Sequence, residues 1–266
     1  MRKYSFLKNK YTLLVIILLL LLAVDVVLHK GMTRFLMPDG FPADIKPAAL
    51  QPLKQTLLQA GINWKKAVNS KEAMNALPAS TAGLEMDVYF DTAKNTFQVY
   101  HDSAVFSKQS LEGLLEIYQR RKLSGSIWLD FKNLSLANEK PSLEYLIQLR
   151  EKFALQQKIV VESTHPQYLQ SFNEKIFFTS YYTPFFNPYG MAKNGLKMYV
   201  DSIAGSLKKY NVSALSGYYF QLPALKKYFP SYPLLSWSDA DRFSLISFLF
   251  HNKLRNDTNL KVLLFP

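Results

Sequence analysis

The chain has 266 residues, no cysteine and a formal net charge of +12 at pH 7. The absence of cysteine excludes disulfides, thiolate catalysis and cysteine-ligated zinc, and the length fits one large α/β domain or two small ones. The basic balance suits an anionic partner such as membrane lipid or a phosphorylated substrate. The basic residues are scattered and no nucleic-acid-binding motif is present, so nucleic acid is not expected as a partner.

Arg2, Lys3, Lys8 and Lys10 precede an unbroken apolar run from Leu13 to Val24. Asp25 interrupts it, and Val26-Val27-Leu28 completes about the width of a bilayer. Residues 1–29 therefore predict a basic cytoplasmic stub with one transmembrane signal anchor. The rest of the chain would then lie outside, on the periplasmic side of a bacterial inner membrane or at the cell exterior. A cleaved signal peptide is the alternative, although no A-x-A site follows the run. Residues 30–50, with Pro38, Pro42 and Pro47, predict a connector, and 51–266 the folded domain.

From residue 50 the pattern alternates. A leading helix is expected over QPLKQTLLQA, ending at Gly61. Strands are expected at 62–67, 84–90, 127–131, 158–162, 175–180, 213–217, 233–237 and 261–265, with an extra one at 97–100. Helices lie between most of them, with Ser110 and Ser142 as starting caps. Eight parallel strands with intervening helices predict an α/β fold, a closed (β/α)8 TIM barrel, with an open doubly wound sheet as the alternative.

Three strings stand out: Glu85-Met86-Asp87, His101-Asp102 and Asp130-Phe131-Lys132. In the first and third, the polar side chains sit at i and i+2, which share one face of a strand. In a barrel they fall toward strand C-termini, the catalytic face. Three carboxylates with a histidine and a lysine suit a divalent-metal phosphoesterase: carboxylate oxygens hold a hard cation, and cation and lysine neutralise a phosphate. Plainer readings stay open. Leu84, Met86 and Val88 alternate with the two acids as on a half-exposed strand, Asp130 and Lys132 fit a salt-bridged strand end, and His101-Asp102 fits a turn.

The order of these motifs resembles the glycerophosphodiester phosphodiesterase-like (PLC-like phosphodiesterase) superfamily, most closely the branches of the menorins and the sphingomyelinase D enzymes. The resemblance runs from about residue 62 to 266. It rests on WKKAVNSKEAMNAL, GLEMDVYFDTAKNTFQVYHD, SIWLDFKNLS, LLSWSDADRF and the closing VLLFP. It implies that Glu85, Asp87 and Asp130 bind one Mg²⁺ or Ca²⁺, that His101 is the general acid–base, and that Lys132 contacts the phosphate. Trp237 would line the substrate pocket.

One departure stands against these matches. Where the family places its first histidine, this chain has Lys66, and the reaction ordinarily uses two histidines on opposite sides of phosphorus. Lys66 is therefore expected to hold the phosphate. His165, after the fourth strand, either enters the site or is a loop histidine beside the helix-starting Pro166. His29 and His251 read as interfacial or structural.

Tyr181 to Gly190 is rich in aromatics and proline. Tyr182 and its neighbours either contact a lipid headgroup or acyl chain, or fold back over the barrel. Tyr218 and Tyr219 carry the same two readings. The expectation is a membrane-anchored, metal-dependent phosphodiesterase acting on glycerophosphodiesters or phospholipid headgroups. The alternative is a barrel that has lost turnover and binds a phospholipid or phosphorylated ligand.

Overall fold

Among the described residues from 61 onward, strands are mostly separated by helices, and each of the eight parallel strands pairs with the next parallel strand in chain order. The computed structural model describes residues 10–28, 40–101, 109–237, 249 and 252–265. The parallel strands are β1 (Gly61–Lys65), β2 (Gly83–Asp91), β4 (Ser126–Phe131), β5 (Ile159–Ser163), β6 (Phe178–Tyr182), β7 (Ala214–Tyr218), β8 (Leu234–Trp237) and β9 (Leu260–Phe265). β1 pairs with both β2 and β9, which closes the sheet into a (β/α)8 barrel and excludes the open alternative. β3 (Thr96–Val99) runs antiparallel to β2 and turns the chain back toward the strand C-termini.

Outward strand faces pack beneath a ring of helices. α2 (Lys71–Ala76) and α3 (Leu111–Arg120) follow β1 and β3, and α4 (Glu139–Lys152) and α5 (Gln170–Glu174) follow β4 and β5. α6 (Lys193–Lys209) and α7 (Leu222–Tyr228) follow β6 and β7. α3 shows the logic. Ser110 Oγ accepts from Gly113 N at 3.1 Å, a cap worth about 1 kcal/mol. Leu111, Leu114, Leu115 and Tyr118 recur at helical spacing and are buried, and each buried side chain contributes about 1.5–3 kcal/mol. The expected cap at Ser142 is displaced: Asn138 precedes α4, and Ser142 lies in its first turn, donating Oγ to Glu139 O.

The barrel interior is layered. Trp64, Trp128, Val160, Phe178, Ala214, Leu235 and Val262 form its apolar part. Gly83 stands in register with Trp64, and a Cβ there would lie 2.2 Å from the indole. Only glycine lets the ring lie flat at this point.

The leading helix is not formed. Residues 50–57 are extended and cross the N-terminal end of the barrel, with Leu53 N donating to Val212 O and Leu58 N to Gln157 O. Gln55 Nε2 donates to Asn173 O, and Leu57 plugs the interior cluster. The strand-end loops satisfy amides that a helix would otherwise have paired. Upstream, Asp44 pairs with Lys193 at the start of α6 and Ala48 N donates to Tyr228 O. The strap 41–50 thus descends the barrel wall from the catalytic side.

At the N-terminus, α1 (Lys10–Leu28) does form. Among the described residues, however, no helix is long and apolar enough to cross a membrane. The apolar run Leu13–Val24 is followed within the helix by Asp25, an ionisable group that a membrane-spanning segment carries only at a cost. The apolar side chains from Leu13 to Leu22 are exposed. His29, Asp102 and His251 lie outside the described residues.

Candidate metal and phosphate site

Closure of the barrel brings the nine residues singled out by sequence to one cavity of about 110 Å³ at the strand C-termini. Glu85 and Asp87 point inward from β2 and Asp130 from β4, and Lys66 and Lys132 follow the ends of β1 and β4. His101 reaches the rim just after β3, and Tyr182, Tyr218 and Trp237 come from β6, β7 and β8. Asp87 and Asp130 are register partners. One oxygen from each of Glu85, Asp87 and Asp130 lies within 4.8 Å of the others.

Local backbone orients these carboxylates. β1 ends in a left-handed turn at Ala67 (φ 56°), a conformation costing a non-glycine residue roughly 1 kcal/mol. The turn directs Ala67 N–H onto Glu85 Oε2 at 2.7 Å. Asn69 grips Asp87 twice: Nδ2 donates to Oδ2 at 2.6 Å, and Oδ1 accepts from the Asp87 amide at 2.9 Å. The Lys132 ammonium bridges Asp87 Oδ1, at 2.8 Å, and Asp130 Oδ2.

Burial and the neighbouring Asp87 charge push the Glu85 carboxyl up to about 8. Burial raises Asp130 as well, against the pull of Lys132. Burial opposes the Lys132 charge, but Asp130 and Asp87 more than compensate and hold it above the ordinary lysine value. Carboxylates crowded until they resist ionisation form a site that a divalent cation would relieve. The donor set, all hard oxygen, fits Mg²⁺ or Ca²⁺.

The opposite wall is aromatic. Trp237 meets Tyr218 at 4.9 Å, Tyr182 at 5.2 Å and Trp128 at 6.4 Å between ring centroids. The aromatic segment after β6 divides between its two readings. Phe186 folds inward onto Tyr199 at 4.0 Å, whereas Phe185 stays 64% exposed beside Tyr218 and Phe220. His165 does not enter the cavity. It precedes the short 3₁₀ turn Pro166–Leu169, with Nδ1 3.0 Å from Thr164 Oγ1.

Sequence reasoning passed over Glu162. It stands inward on β5 in register with Asp130, is 1% exposed, and lines the same cavity. Burial and the Asp130 charge raise its carboxyl well above the usual range. The available signal was an acid at the end of the apolar run Ile159-Val160-Val161, on the face that also carries Val160.

Fold and site together define a closed (β/α)8 barrel with an acidic cavity at its strand C-termini. Residues 59–166 match the family model of the menorin N-terminal domain. Among solved structures, a putative glycerophosphoryl diester phosphodiesterase from Silicibacter pomeroyi DSS-3 superposes with a TM-score of 0.53 at 12% identity, covering 81% of this chain and 91% of that one. A putative glycerophosphodiester phosphodiesterase from Galdieria sulphuraria gives 0.52 at 11% identity, covering 80% and 95%. An Oleispira antarctica phosphodiesterase, solved with its product sn-glycerol-3-phosphate, gives 0.52 at 10% identity, covering 77% and 92%. What is shared at these identities is the fold. No curated protein matches the sequence.

Proposed function

We propose that this chain is a membrane-anchored, metal-dependent phosphodiesterase acting on glycerophosphodiesters or phospholipid headgroups outside the cytoplasm. The observation that carries this reading is the convergence of Glu85, Asp87, Asp130, Lys132, Lys66 and His101 on one cavity. Glu85, Asp87 and Asp130 would hold one Mg²⁺ or Ca²⁺, which when bound supplies positive charge to the reacting phosphate. Lys132 and Lys66 add charge beside it, and His101 gives a proton to the departing alkoxide. A neighbouring substrate hydroxyl can serve as nucleophile and yield a cyclic phosphate. The Oleispira antarctica phosphodiesterase with bound sn-glycerol-3-phosphate supports the choice of substrate class.

The anchor rests on α1, whose apolar side chains are exposed, and on the basic residues before it. Because residue 44 sits at the start of α6, the strap leaves the barrel on the side of the cavity mouth. An anchored barrel would therefore face its mouth, with exposed Phe185 and Leu136, toward the bilayer.

Lys66 favours a second reading, a barrel that holds a phosphorylated ligand without turning it over. Turnover of bis-p-nitrophenyl phosphate, glycerophosphodiesters and lysophospholipids by the full chain separates the two. Assays would contain Mg²⁺, Ca²⁺ or EDTA, with His101→Ala as control. Metal-dependent activity lost in His101→Ala is the expected result. Stoichiometric metal binding with no turnover of any substrate would establish the second reading.

A further inference from the structure

Two stacked tyrosines stand beside the acidic triad, where the chain leaves β3 for His101. β3 runs antiparallel to β2 with Gln98 opposite Tyr89, and Tyr100 N donates to Asp87 O at 3.1 Å. Tyr100 therefore lies diagonally across from Tyr89, on the hairpin face that also carries Glu85 and Asp87. The two half-buried rings lie flat on each other, 4.2 Å apart between centroids and 1° from parallel. His101 follows directly, exposed at the rim of the cavity and close enough for its charge to act on Asp130. Among the described residues, none hydrogen-bonds the His101 ring. A catalytic histidine is ordinarily oriented by such a partner, so its place here falls to the backbone that Tyr100 fixes. A diagonal aromatic pair elsewhere serves only to hold a hairpin; this one differs in where its strand leads.

We infer that Tyr89 is a positioning residue for His101: its ring, stacked on Tyr100, holds the end of β3 so that the imidazole stays at the cavity. This rests on the phosphodiesterase reading and adds to it a residue that acts through His101 alone. The consequence falls on one step. Protonating a departing alkoxide requires the imidazole within hydrogen-bond reach, and a displacement of about 1 Å can cost about 100-fold. A leaving group that is stable as an anion, such as p-nitrophenolate, needs that proton far less. Loss of the stack should therefore slow a diester with an alkyl leaving group more than one that releases p-nitrophenolate. Damage to the metal site would slow both alike. The ring and not the hydroxyl carries the effect, because stacking uses the aromatic face.

The test compares the full-length wild type with Tyr89→Ala, Tyr89→Phe and Tyr100→Leu, on sn-glycero-3-phosphocholine and bis-p-nitrophenyl phosphate with Mg²⁺. Tyr89→Ala should lower kcat for the glycerophosphodiester about tenfold or more, with KM and calorimetric Mg²⁺ affinity held near wild type. Its effect on the nitrophenyl diester should be severalfold smaller. Tyr89→Phe, which keeps the ring, should restore kcat. Tyr100→Leu removes the stack from the other side and should repeat the Tyr89→Ala pattern, so the inference stays open to test if one variant fails to fold. In protein labelled at histidine, the His101 ring resonance, identified by its loss in His101→Ala, should move in Tyr89→Ala and stay near its place in Tyr89→Phe. Unchanged kcat in the folded stack variants, equal slowing of the two diesters, or a Tyr89→Ala loss confined to Mg²⁺ affinity would each overturn the inference. So would Tyr89→Phe as damaged as Tyr89→Ala. Failure of the wild type to turn over either diester would instead bring down the underlying phosphodiesterase reading, and the His101 resonance would then decide the positioning by itself.

Discussion

The Lys132 ammonium lies 2.8 Å from Asp87 Oδ1 and also contacts Asp130, so a cation of the chain's own already sits among the carboxylates proposed to hold a metal. Lys132 and a divalent ion therefore repel each other across shared ligands. Lys132→Met should bind Mg²⁺ about tenfold or more tightly by calorimetry. It should also lose about 100-fold or more in phosphodiester turnover, because charge aimed at the phosphate is gone. Equal loss of both would make Lys132 a structural prop of the triad.

The raised carboxyl of Glu85 sets a pH dependence. Its usual value is 4.5 and in the folded protein it is about 8. Between these values the unfolded chain has released the proton and the folded chain keeps it. Stability of the metal-free protein should therefore fall as pH rises through this window and level off above it. Asp130 and Glu162, also raised, act with the same sign. Metal binding expels protons, so the Tm gain on adding Mg²⁺ should grow as pH rises toward 8. A gain independent of pH would contradict ligation by Glu85.

Asn69 touches no cavity wall, yet it makes two hydrogen bonds to Asp87. Asn69→Ala should lower Mg²⁺ affinity by about 10–100-fold, the usual cost of losing a group that orients a metal ligand. Circular dichroism should be unchanged.

Gly83→Ala tests the barrel interior. The new methyl meets the buried Trp64 ring at 2.2–2.6 Å, and overpacking of this kind costs about 1–3 kcal/mol. Thermal unfolding should shift down by roughly 3–10 °C, and Trp64 fluorescence should report the displaced ring.

Lys66 lines the cavity and stands where the sequence resemblance implies a first histidine. If a second proton-transfer group is what limits the reaction, Lys66→His should raise turnover about 100-fold and add a dependence on pH near neutrality. Loss of activity in that variant would give the lysine a role of its own.

The patterns legible in the sequence were local ones. Glu85 with Asp87, and Asp130 with Lys132, share strand faces because of a two-residue period that needs no partner. Ser110 caps α3 because its own backbone lies three residues from the amide it serves. The count of eight parallel strands followed from apolar runs separated by helical ones. The segment 51–60 misled because its apolar spacing suits a helix, whereas the amides of Leu53 and Leu58 find partners in loops over a hundred residues away in the chain for one and about a hundred for the other.

By itself, then, the sequence determined the strand faces on which the acids and Lys132 sit, and the order in which they arrive. Closure of β1 onto β2 and β9 was decided only by the tertiary structure, and with it which face became the interior. That closure turned Glu162 and Trp128 inward, placed Asn69 against Asp87, and drew His101 to the rim while leaving His165 outside. The physical reason is that strand periodicity fixes which side chains share a face, whereas burial and register between distant strands choose the face that meets a ligand.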